Sequence, residues 1–147
     1  MFWPRIHDIT TDTVDPPQFV SLLSRRGSRA SPSAYDGPEA ASQQRRAYPD
    51  IQPLVLSVPV AQAFKAVVET AGRMGWEVVG SDREAGRVEA IATTFLLRFK
   101  DDVVVRVRDE AGGARVDVRS KSRVGIGDLG TNARRIQKFL SELRRGL

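Results

Sequence analysis

Two neighbouring stretches alternate so strictly that they constrain the rest of the chain. Val103, Val105 and Val107 alternate with Val104, Arg106 and Arg108. After Ala111-Gly112-Gly113 the pattern resumes as Val116, Val118 and Ser120 against Asp117, Arg119 and Lys121. Side chains of a strand point to opposite faces in turn, so each stretch carries one face for a core and another rich in charge. The glycine-rich break between them is a hairpin turn. Lys100-Asp101-Asp102 reads as the tight turn before the first strand, its carboxylates bonding their own backbone. The chain is thereby committed to an antiparallel sheet with one buried side and a row of cations on the other.

The flanking segments supply what covers the buried side. Residues 54–58 are a short apolar strand, and Pro59 opens a helix carrying Val60, Phe64, Val67, Val68 and Ala71 on one stripe. Gly72 and Gly75 stop it. Residues 76–80 form a strand, 82–86 a turn, and 87–99 the next strand, with a break near Thr93-Thr94. A last helix begins near Thr131-Asn132 and aligns Ile136, Phe139, Leu140, Leu143 and Leu147. Two amphipathic helices bury their stripes most simply on one face of the sheet. The expected fold is therefore α+β, a two-layer sandwich over residues 54–147, running strand–helix–strands–helix with about four to five strands.

Residues 1–53 differ in composition. They hold prolines 4, 16, 17, 32, 38, 49 and 53, out of 8 in the chain. Proline lacks a backbone donor, so this part is expected to be extended and irregular. Phe2, Trp3, Ile6, Ile9, Phe19, Val20, Leu22, Leu23, Tyr35, Tyr48 and Ile51 are spaced anchors in which a disordered tail would be poorer. The segment reads as an arm that wraps the domain, with one short helix over 38–47 opened by Pro38.

The net charge is +5 with 0 cysteines and 1 histidine. Thiol chemistry, disulfides and multi-histidine metal sites are excluded by that inventory. No run of about 18 apolar residues occurs, so no membrane-crossing helix is expected and the chain reads as soluble as given. Phe2-Trp3-Pro4 reads equally as an ordinary tail or as the edge of a removed apolar segment. Residues 115–147 are basic, but no aromatic interleaves with the cations on a strand, and nucleic acid is not an expected partner. The charge suits anionic partners and names none.

The candidate site is the run from Arg119 to Arg135. Ser120 and Ser122 share one strand face, and Arg119, Lys121 and Arg123 the other. Gly125, Gly127 and Gly130 permit a loop that leads into a helix N-terminus, where free N–H groups favour anions. Arg119, Ser120, Ser122, Arg123, Gly125, Asp128, Gly130, Asn132 and Arg135 are the candidate anion- or ligand-binding set. A structural reading stands beside it: Asp128 and Asn132 cap the helix or brace the loop, and Asp128 pairs with Arg123 or Arg135. Asp8, Asp12 and Asp15 lack the glycine and distal glutamate of a calcium loop. His7 reads as a histidine that packs the arm. No metal or cofactor is expected.

Residues 85–90, 99–107 and 116–136 resemble the bacterial and plastid family catalogued as domain of unknown function 1499. The run Arg119-Ser120-x-Ser122-Arg123-x-Gly125-x-x-Asp128-x-Gly130-x-Asn132 is its most specific part. The arm is similar too, through residues 6–12, Asp15-Pro16-Pro17 and residues 44–50. Residues 94–99 depart from the aromatic-glycine pattern of the family. The resemblance implies a membrane-associated place in the cell envelope, on the periplasmic side, and no reaction; with it, an anionic lipid surface becomes the expected partner of the basic C-terminal part. Three functions follow as expectations. The first is a non-enzymatic envelope domain that binds a small apolar or anionic ligand, or a membrane protein, between sheet and helices. The second is an enzyme on an anionic substrate, with Asp128 as base and Arg119 or Arg123 holding charge. The third is a structural accessory subunit of a membrane complex.

Overall fold

The two alternating stretches form the longest hairpin of the molecule. In a computed structural model that describes residues 6–25, 34–95, 97–124 and 130–147, β5 (Lys100–Glu110) and β6 (Gly113–Ser122) pair from Asp101↔Ser122 to Glu110↔Gly113. Ala111 and Gly112 both have positive φ, 53° and 83°. Such a two-residue connection matches the right-handed twist of the strands it joins.

The other elements are β1 (Asp8–Thr10), a 3-10 turn (Ser21–Arg25), α1 (Pro38–Ala47), β2 (Leu54–Leu56), α2 (Val60–Arg73), β3 (Glu77–Asp82), β4 (Arg87–Thr93) and α3 (Thr131–Arg145). The sheet has 6 strands in the order β1-β6-β5-β4-β3, all antiparallel, with β2 also on β6. β1 and β2 share one edge of β6: β1 meets residues 119–121 and β2 meets 114–116.

Helices α2 and α3 cover one face. Phe64, Val67, Ala71, Ile136, Phe139 and Leu143 meet Val88, Ala90, Val103, Val105, Val116 and Val118 in one core. Trp76 stacks on Phe139 with ring centroids 4.9 Å apart. Buried side chains from sheet and helices meet in the layer between them. The arm's Ile6, Ile9, Ala40 and Ile51 belong to that same core. A second, smaller cluster of Phe19, Leu22, Ile91 and Val104 lies on the opposite face, beneath the arm.

The α+β class, the antiparallel sheet, the two stripes on one face and the helix over 38–47 are as expected, except that Leu147 lies past the end of α3 and is exposed. Three details differ. The sheet gains a strand from the arm, since Asp8–Thr10 completes the ladder of β6 that β2 is too short to cover. The expected turn at Lys100-Asp101-Asp102 is strand, because each carboxylate is met by a cation and so tolerates burial. The chain instead turns at residues 94–99, short of the expected end of β4. There the Thr94 N–H donates to the Phe99 carbonyl (2.8 Å), the Phe99 N–H donates to Thr94 Oγ1 (2.8 Å), and Arg98 takes φ 56°.

The arm is held close enough to forbid a side chain opposite it. A Cβ on Gly80 would lie 2.5 Å from Ser21 Oγ and 2.9 Å from Ser21 Cβ. Ser21 cannot retreat, because the N–H groups of Val20, Ser21 and Leu22 all donate to the buried Glu89 carboxylate (2.7, 2.8 and 3.1 Å). Gly80→Ala is expected to cost about 1–3 kcal/mol by urea denaturation. Adding Ser21→Gly should recover most of it, and an unrecovered loss would point to another cause.

Candidate functional site

The pleat of β6 sorts the predicted residues onto two sides of the sheet. Even-numbered residues from Ala114 to Ser122 turn toward the helices and odd-numbered ones toward the arm, so Ser120 and Ser122 part from Arg119, Lys121 and Arg123.

On the helix side the polar groups lock α3 to the sheet. Ser120 Oγ donates to Asn132 Oδ1 (2.6 Å). Asn132 Nδ2 donates to Ser122 Oγ (2.9 Å) and to the His7 carbonyl (3.3 Å). Arg135 Nη1 reaches Asp101 Oδ2 (2.7 Å), Asn132 Oδ1 (3.0 Å) and Ser120 Oγ (3.2 Å). Gly130 is the residue before α3, with φ 82°, a conformation that favours glycine. Asn132 thus braces strand and arm from the first turn of the helix. Arg135, which the structural reading offered to Asp128, takes Asp101.

On the arm side Arg119 is closed on from every direction. Its Nε and Nη2 grip both oxygens of Asp8 (3.0 and 2.9 Å), and Nη1 donates to the Pro17 carbonyl (3.0 Å). The guanidinium lies 4.6 Å from the Phe19 ring centre and 5.8 Å from that of Tyr35. Lys121 Nζ shares Asp8 Oδ2 (3.3 Å) and donates to the Ala34 carbonyl (3.3 Å). Arg119 is 0% exposed, Lys121 1% and Asp8 3%, so all three charges are out of water. Arg123 Nε donates to Asp102 Oδ1 (3.0 Å).

The candidate set therefore forms two clusters: Ser120, Ser122, Asn132 and Arg135 on one side, Arg119 and Arg123 on the other. Gly125 and Asp128 lie outside the described residues, as does Gly127. A groove of about 350 Å³ runs between residues 50–54 and Gln137, Leu140, Ser141 and Arg144 of α3, away from both clusters.

Sequence kinship follows the same anchors. The family described as "Protein of unknown function (DUF1499)" matches residues 8–143. The chain belongs to this family. The DUF1499 match begins at the carboxylate that closes on Arg119 and ends at Leu143, a fully buried residue of α3. The arm strand is thus inside the DUF1499 unit. No curated protein matches the chain. Among solved structures it is similar to Ara h 8.0201 at 14% identity, with 65% of this chain and 93% of that one covered and a TM-score of 0.37. It is similar to TTHA0849 from Thermus thermophilus at 14% identity, with 64% and 90% covered and a TM-score of 0.34.

Sequence reasoning left several partners in this DUF1499 chain unassigned. Gln44 of α1 is buried and reads the free edge of β1: its Oε1 accepts the Thr10 N–H (3.0 Å) and its Nε2 donates to the Thr10 carbonyl (2.7 Å). The amide takes the place of a neighbouring strand and closes the edge. Asp12 Oδ2 meets Arg106 (3.1 Å), Arg115 (3.3 Å) and Arg108 (3.7 Å), while Asp15 meets Arg106 and Arg108 at 3.8 and 3.5 Å. Asp117 binds Arg115 Nε (2.8 Å) and accepts from Thr11 Oγ1 (2.6 Å). Asp8, Asp12 and Asp15, weighed above as a calcium set, are all turned to cations. Among the described residues no cluster could hold a metal ion.

Burial works to raise the Asp12 carboxyl. The N–H groups of Asp15 and Val14 and the guanidiniums of Arg115 and Arg106 outweigh it and hold the group below its ordinary 3.8. A depressed folded value contributes stability above pH 3.8 that is lost as pH falls through the folded value. Acid titration monitored by circular dichroism should therefore show unfolding that begins below pH 3.8, and Asp12→Asn should flatten that limb.

Tyr35 behaves oppositely. Burial, and then the Asp8 carboxylate, push its hydroxyl up to about 12 from 10.0, against Arg119 and Arg45. A raised value contributes stability present below pH 10.0 and lost as pH climbs toward about 12. The chain has 2 tyrosines. A late tyrosinate absorbance step near 12 is expected, together with falling stability in that window, and Tyr35→Phe should abolish both.

Proposed function

We propose that this chain is a non-enzymatic module of the cell envelope that works by docking. The observation that carries the reading is the state of the buried acids among the described residues. Asp8, Asp101, Asp102, Asp117 and Glu89 each sit against a cation or backbone donors of the chain. A general base needs a carboxylate within reach of a substrate proton, and these are committed to holding strands, helix and arm together. Among the described residues the helix–sheet layer holds the buried side chains of the core, and this reading takes the docking surface to be external.

The occupants it takes are a membrane protein or an anionic small molecule. Gentle detergent extraction from the native host, followed by mass spectrometry, tests it. A membrane protein in fixed ratio, or a retained anionic lipid, is the expected result. Recovery of the chain alone, away from the membrane fraction, would overturn it.

A further inference from the structure

The β4–β5 turn exposes the side chains that a water-facing turn normally avoids. Phe95 is 88% exposed, Leu97 69% and Phe99 50%. The turn is a built feature: Thr94 staples it from both sides, and Arg98 holds a left-handed backbone that a non-glycine residue adopts at a cost. Val124 is 62% exposed at the same end of the sheet, next to Arg123, whose N–H donates to the Lys100 carbonyl (3.2 Å). Isolated exposed apolar residues are ordinary, but several on one point are not.

Charge at this point has one sign. Arg98 and Lys100 are exposed, and among the described residues neither has an ion pair. The nearest acids in sequence, Asp101 and Asp102, are buried and already neutralised by Arg135 and Arg123. On most of the arm face, by contrast, cations are matched by acids of the arm. The tip is therefore an apolar wedge with uncompensated positive flanks.

We infer that Phe95, Leu97 and Phe99 of this turn insert into the headgroup–acyl boundary of an anionic bilayer, with Arg98 and Lys100 on the phosphates. This deepens the docking reading and rests on it. A stable protein interface needs about 800 Å² from each partner on a surface of matching shape. One convex turn supplies neither, whereas a bilayer surface deforms around it. Apolar burial and attraction of basic side chains to anionic headgroups then act together.

Flotation with vesicles tests this. The wild-type chain should float with vesicles of equal phosphatidylcholine and phosphatidylglycerol, less so in high salt, and stay behind with phosphatidylcholine alone. The Phe95→Ser, Leu97→Ser double variant should lose about tenfold or more in partitioning, with its thermal melt unchanged because neither side chain is buried. Equal flotation of variant and wild type would overturn the inference. So would a wild-type chain that ignores anionic vesicles. If that chain still co-purifies with a membrane protein, the tip is not a lipid anchor and the docking reading stands; if it does not, both fall. A dimer in free solution that the double variant abolishes would replace lipid by a second copy of the chain.

Discussion

Asp8→Ala is expected to lower stability by about 3–5 kcal/mol, the usual cost of removing one partner from a buried ion pair. In a chain of this size that is a fall of about 10 °C or more in thermal midpoint. The reason is what stays behind. Among the described residues Arg119 and Lys121 share the Asp8 carboxylate, and neither reaches water. The carbonyls of Pro17 and Ala34 and the ring of Phe19 cannot compensate two cationic groups in a dry site. The ion cluster need not itself stabilise the fold, because desolvating three charges costs about what their attraction returns. A triple variant, Asp8→Leu, Arg119→Met, Lys121→Met, is accordingly expected to melt well above Asp8→Ala. Scanning calorimetry on both decides the matter. If the triple melts below the single, the charges contribute net stability and do more than set the position of the arm.

The sheet and its helices were legible because they follow from local periodicity. Val103, Val105 and Val107, then Val116 and Val118, declare their face within a few residues, and the stripes of α2 and α3 do the same. Pro38 announces α1. What escaped depends on partners far away in the chain. Asp8-Ile9-Thr10 is too short to read as a strand, and only residues 119–121, about a hundred positions later, make it one. Gln44 could not be told from any other helical glutamine until Thr10 lay beside it. Asp101-Asp102 resembles a turn until Arg135 and Arg123 arrive from opposite faces of the sheet. Arg119, Ser120 and Ser122 lie at the end of β6, and Asn132 and Arg135 at the start of α3. The division of the candidate run between two faces was already implicit in the alternation of Ser120 and Ser122 with Arg119 and Arg123.

Removing residues 1–53 is expected to abolish cooperative folding of what remains. The deletion strips β1 from β6 and takes Ile6, Ile9 and Ile51 out of the main core. It also uncovers the second cluster, leaving Ile91 and Val104 without Phe19 and Leu22. Arg119, Lys121 and Glu89 lose the partners that make their positions tolerable. These losses fall together on a domain whose whole stability is about 5–15 kcal/mol. The residues 54–147 fragment should give broad, poorly dispersed amide spectra and no sharp thermal transition. Supplying residues 1–53 as a separate peptide should restore both in part, since the arm's Asp8, Ile9, Phe19 and Leu22 make buried contacts with the rest of the chain. A fragment that melts sharply alone would mean that helices and strands suffice, and that the arm is an attachment whose release is open to regulation. The expectation is the reverse: β6 carries buried cations because the arm carries the acids, and neither half of the sequence makes physical sense without the other.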